Sequence, residues 1–192
     1  MAKLTNMKKP FIIVSFLICI SNAKLFAQDM KAMQDYMTPG DVHKMIAKYD
    51  GTWNSAVSVW MKPGDAPMMS KSVAVNTMIL GGRYQQSKIA GDYGGMPFEA
   101  LSLLSYDNMK KVFTSTWLDN FGTGTMTLEG TWDGASRTIT FKGKMFEPMS
   151  GKDIQVKETI QYVDDNTIKN QMFMESAAGE VKTMEIISSR AK

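Results

Sequence analysis

The sequence predicts an all-β protein: a single antiparallel up-and-down β-barrel of about ten strands, with a short N-terminal helix closing one end. Two observations carry this prediction. From residue 51 onward, segments rich in Val, Ile, Thr and aromatic residues alternate apolar with polar side chains. Turn signals containing Gly, Pro, Asn or Asp separate these segments at intervals of about 8 to 16 residues, too short for helical crossovers.

Residues 1–27 have the pattern of a secretory signal peptide. Lys3, Lys8 and Lys9 form a positive start, an apolar run follows from Phe11 to Ile20, and we expect cleavage after Ala27. The apolar run is shorter than the ~20 residues of a membrane-spanning helix, and Ile18 before Cys19 argues against a lipoprotein signal. The sequence therefore predicts a secreted or periplasmic protein without stable membrane insertion after cleavage.

Loss of this leader changes both charge and chemistry. The full chain has 22 Lys and Arg residues against 19 Asp and Glu; the leader holds four of the basic ones, which leaves 18 against 19. The basic residues that remain form no patch, so we expect no nucleic-acid partner. The only cysteine, Cys19, also lies in the leader, which excludes disulfides and thiolate chemistry from the mature chain.

Residues 28–50 have helical periodicity, and Pro39-Gly40 should divide them into two pieces. The second piece carries His43, the only histidine, which we place near one mouth of the barrel. A packed, hydrogen-bonded histidine is the simpler interpretation, with ligation or acid/base chemistry as the alternative. The barrel domain then occupies residues 51–192.

Gly51-x-Trp53 at the head of the first strand and Arg190 in the last resemble the lipocalin and fatty-acid-binding superfamily of calycin-type barrels. The resemblance implies that Trp53 lies across the barrel floor and that Arg190 packs on it, a structural role. Most of the chain is also similar to a largely bacterial family catalogued as domain of unknown function 1579, which implies a fold and no activity. The stretches that carry this similarity are Thr38-Pro39-Gly40, His43-Lys44, Pro63-Gly64, Leu80-Gly81-Gly82-Arg83-Tyr84, Met96-Pro97-Phe98, Tyr106-Asp107-Asn108, Ser150-Gly151-Lys152 and Met184-Glu185-Ile186.

Polar residues on otherwise apolar strand faces are the best functional clue. Glu158 shares a face with Val156 and Ile160, and Asn170 shares one with Ile168 and Met172. Burying either group without a partner costs a few kcal/mol, so each needs a partner, a water or a ligand. Arg83 is the expected counter-charge for Glu158 or for a ligand carboxylate. The other predicted lining residues are Tyr84, Glu99, Tyr106 and Trp117.

No metal cluster, phosphate loop or nucleophile motif is present, and we expect no cofactor. The 18 methionines are typical of adaptable apolar interiors, although Met30, Met33 and Met37 have a spacing that could hold Cu(I) on one helix face.

The predicted function is non-covalent binding of a small apolar or amphipathic molecule inside the barrel, with Arg83, Glu158 or Asn170 fixing a polar or acidic end. Two alternatives stay open. One is an enzyme that uses the same cavity with His43 or Glu158 as acid/base, and the other is a filled barrel whose outer surface works in structure or interaction.

Overall fold

A computed structural model describes residues 28–176 and 179–192. The predicted leader, residues 1–27, lies outside the described residues. The ten strands are β1 Gly51–Val59, β2 Met68–Ile79, β3 Tyr84–Tyr93, β4 Met96–Asp107, β5 Val112–Asp119, β6 Met126–Asp133, β7 Thr138–Glu147, β8 Lys152–Asp164, β9 Thr167–Ser176 and β10 Gly179–Arg190.

The strands form a closed antiparallel barrel in which each strand pairs with its neighbours in the sequence. The barrel closes between β1 and β10, where Trp53 lies opposite Arg190 and Val59 opposite Met184. Short turns permit this order, because antiparallel neighbours need no crossover. The predicted fold class, an all-β up-and-down barrel with a short helix at one end, is confirmed.

The segment before the barrel contains two helices. The first, α1, covers residues 28–37, and its residues are exposed; together with Thr38 it belongs to a unit separate from the one that runs from Pro39 to Lys192. The second, α2, is Asp41–Ala47. At its start, the backbone N–H of Gly40 donates to Nδ1 of His43 over 3.1 Å. This bond provides a partner for one of the N-terminal N–H groups that have no acceptor within the helix.

The end of the barrel where β1 begins is closed by α2 and the residues after it. Trp53 donates from Nε1 to the carbonyl oxygen of Tyr49 at 3.0 Å. Arg190 lies 4.4 Å from the centre of the Trp53 ring and donates to the carbonyl oxygens of Asp50 and Lys48 at 2.7 and 2.8 Å. One guanidinium thus ties the last strand to the end of α2 and to the barrel floor, as the resemblance implies.

Aromatic side chains fill the space above this floor. The Tyr49 ring stacks on Tyr162 with ring centres 4.0 Å apart, and its hydroxyl accepts a hydrogen bond from Arg137 at 2.7 Å. Ile46 of α2 is buried in the same cluster, together with Phe113 of β5. This end of the barrel is therefore a packed core.

The turn between β3 and β4 is short. It is formed by Gly94 and Gly95, both with positive φ, whereas Gly91 lies inside β3. A Cβ at position 91 would lie 2.6 Å from the carbonyl oxygen of Lys71 and 2.8 Å from Cβ of Ser72. Position 91 therefore requires glycine because β2 lies too close for a Cβ atom, and this glycine does not mark a turn.

Candidate functional site in the barrel interior

The strand register defines which side chains point inward. Residues that lie opposite one another across a pair of antiparallel strands share a face, so the row containing Trp53 also contains Ala74 and Arg190. Rows that contain the most buried side chains, such as Phe113, Ile139, Phe141 and Tyr162, are the interior rows. Positions between them face outward.

Burial along the interior rows is uneven. Near the closed end, Trp53, Phe113 and Tyr162 are at most 2 % exposed. On β2, β3 and β4, inward residues farther from that end are only half-buried, which requires space inside the barrel that water can reach. Many of these side chains are small, which leaves the space open: Ser70, Ser72, Ser87, Gly91, Ala100 and Ser102.

The opposite wall of this space carries the two polar groups of greatest interest. On β8, Glu158 lies between Phe141 of β7 and Met172 of β9. Burial raises the pKa of its carboxyl from 4.5 to about 7, and neither a charge nor a hydrogen bond opposes this shift. The residue is half-buried and lies in an inward row of the barrel.

Asn170 is on β9, one inward position nearer the closed end. It lies between Ile160 and Ile186, and its Oδ1 is buried without a hydrogen-bond partner among the residues that the structure describes. Glu158 and Asn170 are diagonal neighbours on the inner face of the β8–β9 pair, an arrangement within reach of long side chains. The interior thus holds two polar groups set among apolar side chains, to which the described part of the chain supplies neither a hydrogen bond for Asn170 Oδ1 nor a counter-charge for Glu158.

Aromatic side chains flank the open end. The rings of Trp117 and Phe98 stack at 6.3 Å between centres, and Phe121 packs edge-on against Phe98 at 5.3 Å. Trp117 donates from Nε1 to Asp119 at 2.7 Å, and the same carboxylate accepts the backbone N–H of Phe121. Asp119 therefore fixes the indole and the rim turn together.

Four of the seven predicted lining residues do occupy inward rows: Tyr106, Trp117, Glu158 and Asn170. Tyr106 lies toward the closed end, where its ring packs on Phe113 at 4.7 Å and on His43 at 6.0 Å. The open interior thus brings together Glu158 and Asn170 on one wall, with Trp117 at the rim.

Three predicted lining residues do not face the interior. Tyr84 and Glu99 lie in outward rows, because each is adjacent in sequence to an inward residue, Gln85 and Ala100 respectively. Arg83 lies in the exposed turn after β2 and donates to the carbonyl oxygen of Leu80 at 3.0 Å. The expected pairing of Arg83 with Glu158 is not formed, since Arg83 sits outside the strands at the closed end.

His43 is 5 % exposed and packs within the closed end. Burial lowers the pKa of His43 below 6.5, and the positive charge of Arg83 lowers it further. A hydrogen bond with the Tyr106 backbone acts in the opposite direction and raises this pKa. Nδ1 of His43 accepts the Gly40 amide and its ring packs against Tyr106, so the residue is packed and hydrogen-bonded at this end.

Sequence reasoning missed the serine-rich wall and Asp119. Strand alternation shows that Ser70 and Ser72 share one face of β2, because they alternate with Met69 and Lys71. It does not show which face is inward, because both faces of β2 carry polar residues. In the sequence, Asp119 has the character of a turn residue. Only the structure shows that it accepts a hydrogen bond from the Trp117 indole.

Among residues 28–176 and 179–192, no group of three or more His, Cys, Asp or Glu side chains is placed to hold a metal ion. Within the same ranges, no helix has the length and apolar character needed to cross a membrane.

The closed ten-strand barrel, its floor of Trp53 and Arg190 and its partly open interior define a calycin-like barrel. The chain belongs to the family described as protein of unknown function DUF1579, whose model matches residues 38–190. Among solved structures, it is similar to the crystal structure of Rv2717c from M. tuberculosis, with a TM-score of 0.60 and 11 % sequence identity over 81 % of this chain and 100 % of that one. That similarity concerns the fold alone. No curated protein matches the chain.

Proposed function

We propose that this protein binds a small, mainly apolar molecule in the open part of its barrel interior. The observation that carries the proposal is the pair Glu158 and Asn170, which lie among apolar side chains. The described residues supply no hydrogen-bond partner to Asn170 Oδ1 and no charge or hydrogen bond that opposes the effect of burial on Glu158. An unsatisfied buried polar group costs about 1 to 3 kcal/mol, a cost that a bound hydrogen-bonding ligand would offset.

The shape and composition of the interior support this proposal. Small side chains on β2 to β4 leave room, and on the other wall Met172, Ile160 and Ile186 offer apolar surface beside the two polar groups. Ligand sites in proteins commonly combine apolar walls with a few placed polar atoms. At the rim, Phe121 is 48 % exposed beside the Phe98–Trp117 stack, which offers an incoming apolar molecule its first contact.

Export to the periplasm or the medium is part of the same proposal and rests on the leader pattern in residues 1–27. N-terminal sequencing of the protein recovered from its own compartment tests it. We expect the mature chain to begin at Gln28, and an exported chain that still begins at Met1 would contradict cleavage.

Native mass spectrometry of the mature protein, purified without detergent, is the direct test of binding. We expect a discrete mass above that of the polypeptide that disappears on denaturation. The chemical formula of the released molecule would identify its class.

A pair of substitutions locates the bound molecule. Ala100→Phe places a ring in the open interior from β4, whereas Ala90→Phe places the same ring on the exposed outer face of β3. The extra mass should be lost only with Ala100→Phe, since only that ring occupies the ligand's space. If both variants keep the extra mass, with unchanged circular dichroism, the ligand is not in the interior and the proposal is wrong.

A further inference from the structure

We propose, resting on interior binding, that the ligand's polar end is a hydrogen-bond-donating cation: an ammonium group seated between the Glu158 carboxylate and Oδ1 of Asn170. This assigns a chemical class to the ligand, an amphipathic amine. Of the polar or acidic end expected from the sequence, it keeps a polar end held by Glu158 and Asn170 and gives up the acidic option, which depended on Arg83.

The first argument is the hydrogen-bonding capacity of the two groups. An ionised carboxylate only accepts hydrogen bonds, and the unpartnered atom of Asn170 is its carbonyl oxygen, also an acceptor. An ammonium group has three donors and no acceptor, so one such group can satisfy both residues. A ligand carboxylate would instead place its negative charge beside the Glu158 carboxylate, and like charges at such a distance disfavour each other.

The second argument is charge. Within the described strands, the cations in inward rows are Arg190 at the closed end and Lys152, exposed where β8 begins at the open rim. The Arg190 guanidinium is already occupied by the Lys48 and Asp50 carbonyl oxygens. Nothing on the inner walls between these two positions would neutralise a ligand anion, whereas Glu158 is an uncompensated acid.

The third argument concerns the surroundings of Glu158. Its neighbours in the interior row are Phe141 and Met172, and those of Asn170 are Ile160 and Ile186. Their apolar side chains fit the hydrocarbon part of the ligand, and the low polarity around them strengthens a charge-assisted hydrogen bond.

The test compares three probes that share one hydrocarbon chain and differ in the head group: decylamine, 1-decanol and decanoate. Isothermal titration calorimetry measures the affinity of each for the mature protein at about pH 8, where Glu158 is ionised. We expect decylamine to bind most tightly and decanoate most weakly. Glu158→Gln should weaken decylamine binding by about 10- to 100-fold and decanol binding much less.

Two variants make the result specific. Glu129→Gln removes an exposed outer-face carboxylate of β6 and should leave decylamine affinity unchanged, which excludes attraction to surface charge. Asn170→Leu removes the second acceptor and should weaken decylamine while leaving decanoate unaffected. Circular dichroism confirms that each variant is folded.

The outcomes separate this inference from the proposed function. If decanoate binds as tightly as decylamine, or if Glu158→Gln leaves decylamine affinity unchanged, the ammonium assignment is wrong; decanol binding that Ala100→Phe abolishes would then still support an interior ligand site. If none of the three probes binds and the native protein carries no extra mass, both proposals fail.

Discussion

Replacing Glu158 by Gln should stabilise the ligand-free protein, and the gain should grow with pH. The substitution keeps the size of the side chain and removes the charge that the apolar surroundings disfavour. In the folded protein the pKa of Glu158 is about 7, against 4.5 for an ordinary glutamate. The unfolded chain therefore loses this proton first as pH rises, and the folded state of the wild type loses stability between these two values.

The size of the effect follows from the two pKa values. A difference of about 2.5, at 1.36 kcal/mol for each pH unit, corresponds to about 3 kcal/mol. Because the residue retains some accessible surface, water in the interior solvates the carboxylate and makes this figure an upper bound. The free-energy difference between Glu158→Gln and wild type should thus rise by up to about 3 kcal/mol from about pH 4.5 to pH 7 and stay constant above.

Urea unfolding of both proteins at several pH values, followed by tryptophan fluorescence, measures this difference, and other titrating groups cancel in the comparison. Glu129→Gln serves as the matched control for loss of a carboxylate on the outer face. A difference that stays constant across the range would show that the folded state does not disfavour ionised Glu158. A difference that falls with pH would mean that an unseen partner stabilises the carboxylate, and either result would refute the reasoning.

Three further predictions concern the framework around the site. Arg190→Ala should lower the free energy of unfolding by about 2 to 3 kcal/mol in urea titrations, because the carbonyl hydrogen bonds and the contact with Trp53 are lost. An unchanged urea midpoint would show that Arg190 does not stabilise the closed end of the barrel. Gly130→Ala should cost about 1 to 3 kcal/mol, since a Cβ there would lie 2.6 Å from the Phe141 ring; a neutral effect would mean that the ring moves freely. His43→Ala should lower the thermal midpoint and leave ligand affinity unchanged, because His43 packs in the closed end; a loss of binding in the folded variant would place it in the site.

Strand alternation predicted the interior position of Glu158 and Asn170 correctly, because each shares a clear apolar face with neighbours on its own strand. The same reasoning failed for Tyr84 and Glu99. The strands around them carry apolar or aromatic residues on both faces, so the local pattern does not reveal which face is inward, and only pairing with neighbouring strands does.

The sequence by itself determined the number and order of the strands, the short turns between them and the inward position of its two most informative polar residues. These properties are local: turn chemistry and alternation act over a few residues. Tertiary structure decided that the interior is packed at one end and open toward the other, and that Arg83 lies outside it. It also decided that, within the described ranges, Asn170 Oδ1 has no hydrogen-bond partner and Glu158 no counter-charge. Those properties depend on distant strands meeting around a closed barrel, since the space, the counter-charges and the hydrogen-bond partners of an inward side chain come from elsewhere in the chain.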